Sequence, residues 1–496
     1  MKFLELKGIV KKAFSSSESI SKKTVLGTFW IFCFRIVDQL FRLARTVILA
    51  RLLAPNDFGL FGITIMAVSL LDAFTQNGFQ DALVQKKGDI KPYLDTSWVV
   101  QIVRGVVLAL ILFSLAPLVA TFFKAPESEL ILKVVSLAIV LQGLGNIAVV
   151  YFSKELEFHK YFLYQIIGTL ADFFVATIAA ILLRSVWALV FGLLAGTLIK
   201  CIVSYTISPY FPHLRFDFSK AKELFRFGKW IFVSNIVAFF VIQADSFFVA
   251  KMIGISALGF YQIAYKIPSI LAIEVLAGAI FPAYSKIQDN LQKLKEAYLK
   301  VLQLFSFILM PMAGGIFVLS YEFVQLFLGE KWLPSVNAMQ ILILSTPIWT
   351  IAFLSDYVFL AIGKPKIVTK GVAIRLILLI IMLYPLIMWW GILGAAVAVL
   401  ISVIVTSLWF GFMITKTINC KFGDFFKNLF APLINTIIMA LIISILKNYL
   451  PVKMWSFFML IIVGILIYFV LTYVTDKFLK NRMIPLIKES LHLLIK

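Results

Sequence analysis

Charge is what this sequence has least of. Only 14% of its 496 residues are Asp, Glu, Lys or Arg, against roughly 25% in a typical soluble domain. With 61% hydrophobic residues and a mean hydropathy of +0.99, too little polar surface remains to cover a water-soluble body of this length. Carboxylates are scarcer still, 25 against 46 Lys and Arg. Cysteine and histidine number three each. Cys33, Cys201 and Cys420 stand far apart in or beside apolar runs, and His159, His213 and His492 sit in loops and tail. That scatter offers neither a disulfide framework nor a metal-ligand spacing. The sequence holds no GxxxxGK[ST] phosphate loop, no Ser/His/Asp constellation and no soluble insertion to house a reaction. ATP-driven chemistry, catalysis, a metal and a cofactor are therefore all unexpected.

What is present is apolar runs of membrane-spanning length. A bilayer span needs about 20 mostly apolar residues, and fourteen stretches qualify: 24–49, 58–80, 96–122, 130–152, 161–183, 186–208, 228–250, 257–281, 299–321, 336–361, 368–389, 391–414, 428–446 and 455–475. Only "WWG" at 389–391 separates the eleventh from the twelfth. Together those two are too long for one span at about 1.5 Å per residue, which predicts a tight reversal there. The expected fold is an all-α integral membrane protein of about fourteen transmembrane helices. The polar, basic segment 1–23 precedes an apolar run longer than the ~7–15 residues of a signal peptide core, so no cleavable signal is expected. Residues 1–14 could form a short amphipathic helix on the inner membrane face.

Charge placement tests the count. With the N-terminus inside and loops alternating, 32 of the 46 Lys and Arg fall on the inner side, eight on the outer side and six within spans. Such a bias is what the positive-inside rule demands, and it accounts for the net charge of +21 without nucleic acid. Both termini are thereby expected in the cytoplasm.

The segment "RTVILARLLAPNDFGLFGI" (45–63) aligns without gaps on "DSFFVAKMIGISALGFYQI" (245–263). Identities fall at Ala50/Ala250, Gly59/Gly259 and Ile63/Ile263, with Arg51/Lys251 conservative, and "WIF" recurs at 30–32 and 230–232. A duplication of six helices would give two parallel lobes related by an axis along the membrane normal, with substrate at their interface. The expected organisation is a cytoplasmic segment 1–23, an N-lobe 24–208, a cytoplasmic linker 209–227, a C-lobe 228–414, a hairpin of the last two helices at 415–475 and a cytoplasmic tail 476–496.

Arg35, Asp38, Arg42 and Arg45 recur every three or four residues in the first span, so they share one face of a helix. Facing lipid, each would cost at least ~2.5–3.5 kcal/mol on insertion scales, so they should face protein or water. Two readings stand: a cationic cavity wall, or structural pairs in which Asp38 partly neutralises Arg35 and Arg42. Their equivalents 200 residues on are Asn235, Ala238, Ile242 and Asp245, so the basic stripe belongs to one copy only. Asp245 could alternatively pair with an arginine across the interface. Other charges within spans are Asp72, Arg104, Asp172, Lys266, Glu274, Asp356 and Arg375. Of these, Arg104, Lys266 and Arg375 join the stripe as substrate-binding candidates. Asp72, Asp245 and Asp356 are candidates for ion coupling. Pro268, Pro282, Pro311, Pro347 and Pro385 are hinge candidates.

Several loops carry a family resemblance: "ARLLAPNDFGLFGI" (50–63), "GFQDALVQKKG" (78–88), "YFSKELEFHKY" (151–161), "FPAYSKIQ" (281–288) and "FLAIGKPK" (359–366). The chain resembles the polysaccharide transporters, the oligosaccharide-lipid flippases of the multidrug/oligosaccharidyl-lipid/polysaccharide exporter superfamily, nearest to their colanic-acid and teichuronic-acid exporter branch. The resemblance implies two six-helix lobes around a central cavity plus a C-terminal helix pair. It also implies flipping of an undecaprenyl-diphosphate-linked oligosaccharide across the bacterial cytoplasmic membrane by alternating access. Lipid-linked oligosaccharide, membrane lipids and polysaccharide polymerase or assembly proteins are the implied partners. The alternatives are a multidrug or metabolite antiporter of the same superfamily and a non-transporting scaffold of a polysaccharide synthase complex.

Overall fold

A computed structural model describes residues 37–479 except 76–77, 87, 156, 209 and 271–276, together with residue 485. Arg35, Cys33, Glu274 and the expected helix at 1–14 lie outside the described residues. Among those described, all regular structure is helical. The helices relevant to the site are α1 (37–52), α2 (Pro55–Ala73), α3 (Phe79–Gln85), α4 (Lys91–Phe122), α5 (Glu127–Leu144), α6 (Val150–Lys154), α7 (Phe158–Leu183), α8 (Trp187–Ile207), α9 (Phe218–Met252) and α10 (Ile255–Ile270). They continue with α11 (Ala277–Lys286), α12 (Leu291–Phe323), α13 (Val336–Ala361), α14 (Pro365–Thr417), α15 (Phe422–Lys447) and α16 (Met454–Leu479).

Ten helices among the described residues are long and apolar enough to cross a bilayer, or eleven with the pair Glu127–Leu144 and Ile147–Lys154, bent by 64°, taken as one span. The expectation of fourteen rests partly on residues 24–36 and 271–276, outside the described set. Large apolar side chains such as Leu118, Leu182, Ile381 and Phe469 stand exposed on the long helices. Water would disfavour that surface; acyl chains match it.

The reversal expected at 389–391 is present within α14, where Gly391 adopts φ +57° and ψ −132°. A β-carbon on Gly394 would lie 1.9 Å from the carbonyl oxygen of Leu386. Eight residues of straight helix would separate those positions by about 12 Å, so the chain doubles back here. The left-handed φ and the close approach both require glycine.

The repeat is visible as a reciprocal contact between α2 and α10. A β-carbon on Gly59 would sit 1.9 Å from the oxygen of Ile255, and one on Gly259 would sit 1.9 Å from the oxygen of Pro55. Asn56 and Ser256, 200 residues apart, approach to 3.5 Å through their side chains. The Gly59–Ile255 contact thus recurs as Gly259–Pro55 with the two copies exchanged, as a two-fold axis between these segments requires.

The same symmetry governs two cations that cap helix ends. Arg51 donates through Nε to the carbonyl of Phe327 at 2.8 Å and through Nη2 to that of Leu326, in the π-helical turn that follows α12. Its equivalent Lys251 donates to the carbonyl of Phe122 at 2.7 Å, at the end of α4, and lies 3.8 Å from the centre of the Phe122 ring. Both place positive charge on carbonyls at the negative end of a helix dipole. Lys331 and the indole of Trp332 tie the same region to the end of α1, donating to Leu53 O at 2.7 Å and Ala50 O at 2.8 Å.

Candidate functional site

The basic stripe of α1 meets a complementary stripe on α7. Asp38, Arg42 and Arg45 recur at i, i+4 and i+7, as do Gln165, Thr169 and Asp172, and both sets therefore line one helix face. Edge-on packing of Phe41 against Phe173, with ring centres 5.6 Å apart, holds the two helices together. Arg45 Nη2 donates to Asp172 Oδ1 at 2.9 Å. One turn along, Arg42 Nε donates to Asp38 Oδ2 at 2.7 Å, while the Thr169 hydroxyl donates to Asp38 Oδ1, also at 2.7 Å. Asp38 therefore has both oxygens engaged. The Arg42 side chain remains half exposed, whereas Arg45 is 18% exposed.

A third helix completes the cluster because glycine lets it approach. On α8, a β-carbon at Gly192 would lie 2.5 Å from Asp172 Oδ1, and one at Gly196 would lie 3.0 Å from Asp172 Cβ. One turn further on, Lys200 donates to Gln165 Oε1 at 2.8 Å. Lys266 of α10, from the second copy of the repeat, interacts electrostatically with Arg42, Arg45, Asp172 and Asp38. Among the described residues the cluster thus holds four cations, Arg42, Arg45, Lys200 and Lys266, and two carboxylates, Asp38 and Asp172. It carries an excess of two positive charges, and the Nε of Arg45 is buried with no hydrogen-bond partner among the described residues.

The second copy holds a different set. Asp245 of α9 is buried and accepts from the Tyr261 hydroxyl at 2.8 Å and the Ser246 amide at 2.7 Å. Its partner is therefore a tyrosine and not an arginine of the basic stripe. Arg375 of α14 interacts with Tyr265, Asp245 and Asp356. Its Nε and the Oδ1 of Asp356 are both buried without hydrogen-bond partners among the described residues. With one cation and two carboxylates, this set has the opposite sign. Arg104 and Asp72 lie apart from both groups, paired at 2.6 Å, with Thr75 accepting from Arg104 Nε at 3.1 Å.

The substrate-binding candidates therefore divide. Asp38, Arg42, Arg45 and Lys266 come together, Arg375 joins Asp245 and Asp356, and Arg104 is held by Asp72. Sequence reasoning did not select Asp172, Thr169, Gln165 or Lys200. Lys200, one of the 32 cations that the positive-inside count puts on the inner side, lies about two helical turns inside α8. Two signals were available: the 165/169/172 spacing, and the run Gly192, Gly196, Lys200 on one face.

At the linker, Tyr210 donates to Asp95 at 2.7 Å, and Asp95 also accepts from the His213 amide at 2.8 Å. Burial and the bond to Asp95 push the Tyr210 phenol up to about 12. Lys86 pairs with Glu223, which also accepts from the Tyr93 hydroxyl at 2.8 Å. Glu223, then Tyr93, raises the Lys86 ammonium above its usual value. These contacts fasten the linker to the first copy.

Residues 48–337 match the family described as "Polysaccharide biosynthesis protein". An uncharacterized membrane protein in the cps region of Klebsiella pneumoniae is 24% identical, over 95% of this chain and 99% of its own. The lipopolysaccharide biosynthesis protein WzxC of Escherichia coli K12 is 26% identical, over 65% of this chain and 67% of its own. In three dimensions the lipid II flippase MurJ, in an inward closed conformation, superposes with a TM-score of 0.74 over 92% of this chain and 99% of its own, at 18% identity.

Proposed function

The chain belongs to the polysaccharide biosynthesis protein family, and on that premise we propose that it flips an undecaprenyl-diphosphate-linked oligosaccharide across the bacterial cytoplasmic membrane by alternating access. The observation that carries this reading is the cluster of Arg42, Arg45, Lys200 and Lys266 around only two aspartates. A diphosphate diester brings about two negative charges and a set of strong acceptor oxygens. It would match the cluster in both sign and size of charge. Arginine suits it because the planar guanidinium gives two parallel hydrogen bonds to a phosphate and stays protonated.

The geometry suggests how the group is held and released. Asp38 restrains Arg42 while the site is empty, and an arriving phosphate replaces a carboxylate with a like-charged acceptor. The exchange avoids leaving any cation bare in a low-dielectric site. Arg42 is the more exposed of the two arginines and meets the substrate before Arg45, which lies one turn deeper. Lys266 reaches the site from the second copy, so movement of one copy against the other changes the number of cations on the phosphates. Both termini and the Lys86–Glu223 contact face the cytoplasm in this scheme. Arg51 and Lys251 close the opposite end.

Asp245 and Asp356, which share Arg375, are the coupling groups in this scheme, because an added cation there would be balanced by carboxylate excess. Asp72 and Arg104 hold α2 to α4. An organic-cation antiporter would need the reverse polarity at the α1–α7 cluster, and a scaffold would need no charged cluster within its spans. Partners for the exported glycan, such as a polymerase, would act on the outer face.

Reconstituted proteoliposomes carrying a fluorescent undecaprenyl-diphosphate oligosaccharide test this directly. Flipping is read as the labelled sugar becoming accessible to a membrane-impermeant quencher. Protein-dependent translocation of the diphosphate lipid is the expected result. Export of organic cations without it supports the antiporter, and no transport of either supports the scaffold.

A further inference from the structure

Resting on that reading, we propose that Lys200 is a further substrate-binding residue, whose ammonium completes the phosphate-binding set of Arg42 and Arg45. Both arginines are hydrogen-bonded to carboxylates, Arg42 to Asp38 and Arg45 to Asp172. The bond that Lys200 makes is to a neutral amide, Gln165 Oε1, at 2.8 Å. Its charge interacts with Arg42, Asp38 and Asp172, so it faces the same space as the stripe. A positive charge left on an amide beside two occupied carboxylates is available to an incoming anion at less rearrangement than either arginine.

The fold keeps this lysine extended toward the cluster. Its aliphatic stem crosses the face of Gly168, where a β-carbon would lie 2.3 Å from Lys200 Cγ, 2.4 Å from Cε and 2.8 Å from Cδ. Gly168 is buried and stands between Gln165, which receives the ammonium, and Thr169, which holds Asp38. Gly192 and Gly196 set the height of Lys200 by letting α8 close on Asp172. Lysine also differs from arginine in being a compact charge on a flexible stem. Lys200 can therefore follow a phosphate over a distance that the paired arginines cannot.

Three rungs result along one wall: Arg45 with Asp172, Arg42 with Asp38, and Lys200 with Gln165. They descend toward the end of the bundle where α1 begins. In the orientation proposed above that is the cytoplasmic side, so Lys200 meets the diphosphate first.

The test is equilibrium binding of undecaprenyl diphosphate and of undecaprenyl monophosphate to the full chain in detergent, for wild type, Lys200→Gln, Lys200→Arg, Gln165→Leu and Arg42→Gln. Loss of one charge-assisted bond is expected to weaken diphosphate binding about tenfold or more, with a smaller loss for the monophosphate. Lys200→Arg should restore binding to within about threefold. Gln165→Leu, which removes the resting partner together with the bond Gln165 donates to Tyr161, should bind at least as well as wild type; a purely structural Lys200–Gln165 strut would weaken with either change. Wild-type affinity in Lys200→Gln together with weakened binding in Arg42→Gln overturns this inference and leaves the flippase reading standing. Wild-type affinity in both variants overturns the flippase reading itself. If Lys200→Gln does not purify as a folded species, Gly168→Ala, which displaces the stem, takes its place with the same expectation and the same overturning result.

Discussion

The two copies of the repeat share a scaffold and differ in charge. Gly59 and Gly259 make the same backbone approach, and Arg51 and Lys251 cap helix ends in the same way. Where Asp38, Arg42 and Arg45 stand in the first copy, the second has Ala238, Ile242 and Asp245. Apart from Lys266, which joins the first copy's cluster, the second copy groups Asp245 and Asp356 around Arg375. In the proposed scheme a duplicated frame holding unlike charges separates two tasks: what both copies keep would support movement about the shared axis, and what one copy has alone would support recognition. An excess of cations suits an anionic substrate, and an excess of carboxylates suits a coupling cation.

The largest expected effect comes from splitting a pair in the first copy. Asp172→Ala leaves Arg45 without its carboxylate and is expected to lower stability by on the order of 3 kcal/mol, read as the melting temperature of the detergent-solubilised chain. Pairing it with Arg45→Met should recover most of that stability while transport stays lost. If Arg45→Met with Asp172→Ala transported normally, the first copy would hold its charges for packing alone.

Next in size are the shared glycines. Gly59→Ala and Gly259→Ala each push a methyl group into a carbonyl oxygen and are expected to destabilise by about 1–3 kcal/mol. The two losses should agree closely, because the contact is reciprocal. A large loss at one position and none at the other would break the symmetry on which the comparison rests.

Smaller effects are expected at the helix caps. Arg51→Ala should raise amide hydrogen exchange around residues 324–328, and Lys251→Ala around residues 119–123, each by roughly tenfold for a bond worth about 1.5 kcal/mol. Protection unchanged in both would show that neither cation holds that end of the bundle closed.

Much of this was legible in the sequence, at the level of single helices. Apolar run length gave the membrane-spanning character of the ten or eleven helices seen among the described residues, and the combined length of the eleventh and twelfth runs required the reversal that Gly391 makes. The ungapped match of 45–63 with 245–263 marked two equivalent segments, but not that α2 and α10 touch through them. Spacing alone put Asp38, Arg42 and Arg45 on one face. The partners of that face were not legible, because they depend on which helices pack together. Asp172 reaches Arg45 only because α7 lies against α1, and Lys200 joins them because Gly192 and Gly196 admit α8. A rule that assigns lysines to the cytoplasmic side hid Lys200, since it reads position along the chain and not what a side chain touches. Asp245 could have met an arginine across the interface; it accepts instead from the hydroxyl of Tyr261, 16 residues on, and interacts with Arg375 of its own copy.

The central claim is that the cations of the first copy hold the diphosphate. The most direct measurement is the flipping rate of an undecaprenyl-diphosphate oligosaccharide in proteoliposomes containing Arg42→Gln with Arg45→Gln, beside Arg375→Gln in the second copy. The account expects the double variant to lose at least about a hundredfold in rate, from two charge-assisted contacts of roughly 1.5 kcal/mol each or more. It expects Arg375→Gln to keep flipping the lipid, with altered dependence on the ion gradient. Wild-type flipping by the folded double variant would contradict it.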